Sequence, residues 1–363
     1  MTKMTKMTRI TKMTTIAVCT ALFFASCSKE EKPTEIPLGA YDNGVLILNQ
    51  GNFGSPNTSI SYLSNDKVTF QNNIFGLVNP QEVLGDTGQD IGFNGELAYI
   101  VLNVSNKIEI VNRYTMKHIT SINTGLNNPR YIAFFNGKAY VTNWGDSNIT
   151  TDDFVAVINL TTNTVSQTIP VVEGPERIVA EANNLYVAHK GGYGFGNSVS
   201  VINPVTNTVS RIITVGDVPN FMVENNGILY VMCEGKPSYA PTETGGKLVK
   251  ISLTTNTIVS AMDFASTRHP LNLVLDNNFL YYTEDNKIFK TALSSTILPE
   301  SPIFTIASQG IYGIYSFAVK NNQIYIGDAL DYSSNGKVYI YSLSGALENE
   351  YRVGVSPTGF YFN

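Results

Sequence analysis

The stretch "NGKAYVTNWGDSN", Asn136–Asn148, reads as a tight turn, a strand of alternating apolar and polar residues, and a loose loop carrying the only tryptophan of the chain. Asn-Gly tolerates the positive φ that two-residue hairpin turns demand, so the strand it opens pairs with the one before it. The same move recurs as "NGVLILN" (43–49), "NGELAYIVLN" (94–103), "NNLYVAH" (183–189), "NGILYVMC" (226–233), "NNFLYYTE" (277–284) and "NNQIYIGD" (321–328). Seven copies of one hairpin signal a repeat architecture.

Each copy sits in a longer unit. An apolar strand often opened by proline precedes the turn, as in "NPRYIAFF", "GPERIVAE", "VPNFMVEN" and "HPLNLVLD". A third strand follows, as in "FVAVINLTTN" and "SVSVINPVTN", and then a fourth, as in "TVSQTIPV" and "TVSRIITV". Four antiparallel strands in roughly 40 to 50 residues make the blade of a β-propeller. The ends are complementary: "NGVLILN" has no proline-opened strand before it, and "SPTGFYFN" at the C-terminus has no turn after it. If that last strand becomes the inner strand of the blade starting at Gly44, the ring closes and leaves no open edge. The sequence thus predicts an all-β, seven-bladed β-propeller over residues 41–363. Tyr140, Tyr186, Tyr230 and Tyr325 recur inside the repeat and are expected in its core.

The two faces of such a ring differ. The "NG" and "TTN" turns are short, whereas the connections on the other face run long: 50–57, 74–88, 143–151, 189–197, 233–246 and 328–336. Long loops on a rigid scaffold are where binding residues gather. These carry Phe53, Trp144, Tyr193, Phe195, Tyr239 and Tyr332, with Tyr131, Phe221 and Tyr315 at the mouths of inner strands. Aromatics among Gly, Ser and Asn give broad, rigid contact area with adaptable hydrogen bonds, although such residues also serve to fill gaps between blades. A second set follows from register. The turn strands end at Asn49, Asn103, Asn143, His189, Cys233, Glu284 and Asp328, expected at the mouth of the central channel, close to Asp90, Arg130, Arg177, Asn220 and Asn272. Converging polar groups in a concavity mark a ligand site, and solvated strand ends are the alternative.

Catalysis has no local signature. The three histidines, His118, His189 and His269, form no His-Glu-x-x-His pattern, and neither Cys-x-x-Cys nor G-x-S-x-G occurs. "GGYGFG" (191–196) resembles a phosphate loop but opens no helix. No enzyme activity, cofactor or metal is therefore expected, although Glu284 and Asp328 on neighbouring blades are a possible acid pair.

The first segment stands apart. "MTKMTKMTRITKMTT" carries Lys3, Lys6, Arg9 and Lys12 and no acid; the short apolar run "IAVCTALFFAS" then leads to Cys27. That is the layout of an export signal, too short to anchor a bilayer-spanning helix. "LFFASC" resembles a bacterial lipobox, with Phe24 where an aliphatic residue is usual, and "KEE" after it resembles the signal that sends lipoproteins to the cell surface in Bacteroidota. The implied division is a signal peptide over 1–26, lipidation at Cys27, and a polar tether over 27–40. An outer-membrane, lipid-anchored, surface-exposed protein follows as an expectation. Losing the four leader cations takes the formal charge from -5 to about -9, and an acidic body without a basic patch argues against nucleic acid. Only Cys233 then remains, so no internal disulfide is available.

"VINPVTNTV", "VINLTTNTV" and "NGKAYVTN" resemble the YncE-like seven-bladed propellers and surface-layer propeller proteins with YVTN-type repeats. "GVLILNQGNFGSPNTSISYL", "NKIEIVNRYTMK" and "GLNNPRYIAF" are similar to Bacteroidota surface lipoprotein propellers, among them the BtuG-type proteins. That resemblance implies capture of a corrinoid such as vitamin B12 on the loop-rich face and its delivery to a TonB-dependent transporter. A module binding a glycan or a protein partner is the second reading, and a propeller enzyme the third.

Overall fold

The computed structural model describes residues 37–306 and 310–363. The expected leader, Cys27 and most of the tether lie outside the described residues. The compact unit starts at Pro37. Residues 37–40 already belong to it: the Leu38 N–H reaches Asp42 at 2.9 Å, and Gly39 lies against the Tyr114 backbone.

Seven four-stranded antiparallel sheets form the ring. Blade 1 orders its strands Pro357–Phe362, Gly44–Asn49, Ser59–Ser64 and Phe70–Gln71, so the C-terminal strand does close the ring. The inner strands of blades 2 to 7 are Gly88–Asn94, Pro129–Phe135, Pro175–Glu181, Pro219–Asn225, Leu271–Asp276 and Ser316–Lys320. The described helix, Ile74–Val78, buries Ile74 and Phe75 between blades 1 and 2.

Turn chemistry explains the hairpins. Asn136 and Gly137 have φ of 46° and 73°, Asn226 and Gly227 of 52° and 78°, and Asn277 and Asn278 of 47° and 63°, the left-handed pairs that match strand twist. Two copies differ from expectation. The "NGELAYIVLN" hairpin turns at Gly95–Glu96 with Asn94 still in the strand, and the blade 4 turn uses Ala182 and Asn183.

The second strand of each blade does not alternate in burial as its sequence suggests. Lys138–Asn143 is buried at every position after the first, because neighbouring blades cover both of its faces. The core is therefore divided among seven apolar clusters, one per blade interface: Tyr186 and Val201 of blade 4 meet Leu229 and Val249 of blade 5, and Val45 and Ile47 of blade 1 meet Tyr325 and Val338 of blade 7. The repeated tyrosines bridge these wedges. Tyr186 donates through its hydroxyl to Asn256 Oδ1 of the next blade at 2.6 Å, and Lys67 of blade 1 donates to the Tyr325 hydroxyl of blade 7 at 2.8 Å.

The long connections after the second strands occur in blades 1, 3, 4, 5 and 7; blades 2 and 6 turn tightly there, at 103–106 and 285–286. The strand ends do not point into the channel mouth. Asn49, Asn143, His189, Cys233 and Asp328 are fully buried, and two of them tie loops to blades: Asn143 accepts from the Asn127 N–H at 2.9 Å, and Asp328 from the Tyr312 and Leu330 N–H groups.

Candidate functional site

Six of the seven inner strands carry one extra residue just after they begin, seen as a register shift against the second strand. Such a bulge re-aims side chains at a sheet end. In the six bulged strands it sets Asp90, Tyr131, Arg177, Phe221, Asn272 and Gly359 into the channel, and Ser316 of the regular blade 7 strand completes the ring. Val179, Val223 and Val274 lie two residues further along their strands, and Glu181 and Glu224 stand toward the opposite end. The channel has a volume of about 510 Å³ and takes lining residues from all seven blades. That size suits a small molecule.

Within the ring, the Arg177 guanidinium lies over the Tyr131 and Phe221 rings, 4.3 and 5.0 Å from their centroids. Asp90 accepts from the Ile132 N–H and the Tyr361 hydroxyl, both at 3.1 Å. Burial pushes the Asp90 carboxyl up, against the Ile132 bond and the Arg177 charge that favour its ionised form. Asn272 donates to Thr283 within its own blade, and Ser316 to the Pro357 carbonyl.

Above the ring, toward the long loops, lies a polar shelf. Arg130 grips Glu176 with two hydrogen bonds of 3.0 and 2.8 Å and lies 4.1 Å over the Trp144 ring. Burial opposes the Glu176 charge, but Arg130 outweighs it and holds the carboxyl below its ordinary range. Trp144 donates to the Pro175 carbonyl at 3.1 Å and meets Tyr193 edge to face at 5.7 Å. Lys190 pairs with Glu234 at 3.5 Å, and Asn220 donates to the same carboxylate at 2.6 Å. Across the mouth, Tyr315 bonds Gln50 and meets Tyr332 at 5.5 Å; burial pushes its hydroxyl up to about 12.

The outermost layer is an exposed aromatic rim. Phe53, Tyr239 and Tyr193 are 82%, 83% and 69% exposed, and Phe195 and Tyr332 are also exposed. Phe195 and Tyr239 approach to 6.5 Å, and Asn52 joins the blade 1 loop to the Tyr332 carbonyl of blade 7.

A family profile described as a domain of unknown function, DUF5074, matches residues 43–362. The chain belongs to the DUF5074 family. No curated protein matches it. Solved structures share the fold at low identity. A quinonprotein alcohol dehydrogenase-like protein from Bacteroides thetaiotaomicron has a TM-score of 0.66 at 14% identity, over 89% of this chain and 78% of that one. A functionally unknown protein from Desulfotomaculum acetoxidans gives 0.63 at 12%, over 88% and 98%. A periplasmic gluconolactonase from Pseudomonas aeruginosa gives 0.62 at 12%, over 88% and 99%.

In this DUF5074 propeller, the residues singled out from sequence fall into separate layers. Asp90, Tyr131, Arg177, Phe221 and Asn272 line the channel; Arg130, Trp144 and Tyr315 make the shelf; Phe53, Tyr193, Phe195, Tyr239 and Tyr332 form the rim. His189 joins none of them: it is fully buried and bonded through Nε2 to Ser200 at 2.8 Å. Glu284 is paired with Arg268, and Asp328 is used by loop N–H groups. Sequence reasoning missed Glu176, Tyr361 and the exposed Tyr312. Counting by twos from Gly359 would have found Tyr361 on the channel face. Among the described residues, no His, Cys, Asp and Glu side chains cluster as a metal site, and no helix is long and apolar enough to cross a membrane.

Proposed function

We propose that this DUF5074 propeller is a capture module that binds a bulky, amphiphilic ligand of the corrinoid class on its loop-rich face. Held at the cell surface by a lipid on Cys27, it hands that ligand unaltered to a TonB-dependent outer-membrane transporter. The observation that carries the reading is the aromatic rim: Phe53, Tyr193, Tyr239, Tyr312 and Tyr332 stand exposed on loops of one face above a polar shelf. Large apolar side chains gathered in solvent favour contact with a broad partner. The anchor, the transporter and the corrinoid come from the resemblance of the leader and repeats.

The test is calorimetric titration of residues 37–363, the compact unit, with cyanocobalamin and cobinamide. One-to-one binding, weakened at least about tenfold by Tyr239→Ala combined with Tyr193→Ala, with the ligand recovered unchanged, supports the reading. No heat and no shift in melting temperature with excess ligand sinks it. Saturable binding of a glycan or protein, lost in the same double variant, puts the second reading in its place.

A further inference from the structure

Arg177 is a cation without an ion-pair partner among the described residues, the carboxyls of Asp90 and Glu176 acting on it only from beyond that distance. Arg130, Lys190 and Arg268 each have a carboxylate within ion-pair distance, whereas Arg177 has none among the described residues. Its Nε is buried without a hydrogen-bond partner. The guanidinium carbon lies over the Tyr131 and Phe221 rings, and Arg177 lines the channel, where its terminal N–H groups can meet a ligand. Asp90, the nearest acid in the ring, has its oxygens taken by Ile132 and Tyr361. An arginine cannot escape such a site by losing its proton.

The wall beyond Arg177 specifies what an incoming anion would carry. Along the inner strand of blade 4, Arg177, Val179 and Glu181 share the channel face, and Val223 and Val274 continue the apolar layer on blades 5 and 6. Strand rise places Glu181 about 13 Å from Arg177. Glu181 and Glu224 at that end repel a second negative charge. A planar carboxylate matches the guanidinium edge with two parallel hydrogen bonds.

We propose that the channel is a binding site for an apolar monocarboxylate, its carboxylate paired with Arg177 and its body lying along Val179, Val223 and Val274. This site uses residues other than the exposed rim and stands whether or not the rim takes a corrinoid.

The probes are 4-phenylbutyrate, its neutral amide, the dianion adipate, and straight-chain carboxylates from butyrate to octanoate, titrated calorimetrically into residues 37–363. The expected result is one-to-one binding of 4-phenylbutyrate, with the amide and adipate at least about tenfold weaker. Arg177→Met loses at least about tenfold for the acid and little for the amide; Arg177→Lys retains part of the affinity. Equal affinity for acid and amide overturns the proposal, as does unchanged affinity in a folded Arg177→Met or Arg177→Lys variant. It also fails if no carboxylate of the series gives heat or raises the melting temperature. Cyanocobalamin titrated into the same protein reports the rim reading separately.

Discussion

At the scale of single residues, the polar layer over the channel shows how strongly one side chain depends on another. Glu176 is 2% exposed and both of its oxygens are held by Arg130. Removing one partner of a buried ion pair leaves a desolvated charge, which costs about 3–5 kcal/mol. Glu176→Ala is therefore expected to lower unfolding stability by that order in denaturant titration, and Glu176→Ala with Arg130→Met by clearly less; a double-variant loss equal to the sum of the two single losses would mean that the pair is not coupled. His189 gives a pH signature. Burial pulls its pKa from 6.5 to about 4, so the folded protein binds that proton less readily than the unfolded chain. The stability it contributes is complete above pH 6.5 and is lost as pH falls toward 4, an effect of roughly 3 kcal/mol. Stability measured from pH 7 to pH 4 should fall along that window, and His189→Gln should flatten the fall. The sequence located His189 at a strand end but gave no sign that neighbouring blades bury both faces of that strand. Side chains of a strand point alternately to its two faces, and the polar His189 at its end is buried because neighbouring blades cover both.

At the scale of elements, the hairpins were legible because their turns have a local cause. Asn136 and Gly137 must both be left-handed, and few residues accept that. The bulges that build most of the channel ring were not legible, because the extra residue of each bulged inner strand is fixed by its pairing and by the channel it faces. Two glycines separate local from tertiary demand. A Cβ on Gly137 would meet nothing within 4 Å, so Gly137→Ala should cost only the backbone term, about 1 kcal/mol. At Gly174, whose φ is 64°, a Cβ would stand 1.8 Å from the Gly192 backbone nitrogen, so the same substitution must also displace the 190–197 loop that carries Tyr193 and Phe195. Gly174→Ala should destabilise clearly more than Gly137→Ala in the same denaturant assay. It should also sharpen or broaden the amide resonances of Tyr193 and Phe195, which Gly137→Ala leaves alone. Similar losses for both would show that the close approach of Gly174 to that loop carries little energy.

At the scale of the whole molecule, closure is the property on which the rest depends. Each apolar cluster lies between two blades, so the ring has no central core to fall back on when one interface opens. Both chain ends contribute to a single blade: Pro357–Phe362 pairs with Gly44–Asn49, and Asn363 fastens the seam by donating to the Tyr41 and Arg113 carbonyls at 2.7 and 2.9 Å. Lys67 of blade 1 reaching Tyr325 of blade 7 closes the same seam from outside the inner strand. Ending the chain at Val355 would remove Gly359 and Tyr361 from the channel and bare the backbone of Gly44–Asn49 as an unpaired edge. The truncated protein should therefore lose cooperative unfolding in calorimetry and self-associate in sedimentation. A circular permutant that joins Asn363 to Tyr41 through a short linker and opens at Asn226–Gly227 keeps every strand pair and should unfold in one transition as a monomer. Because both variants disturb the seam but only one removes the strand, a truncated chain that stays monomeric and cooperative would show that six complete blades and a three-stranded seventh hold the ring without closure.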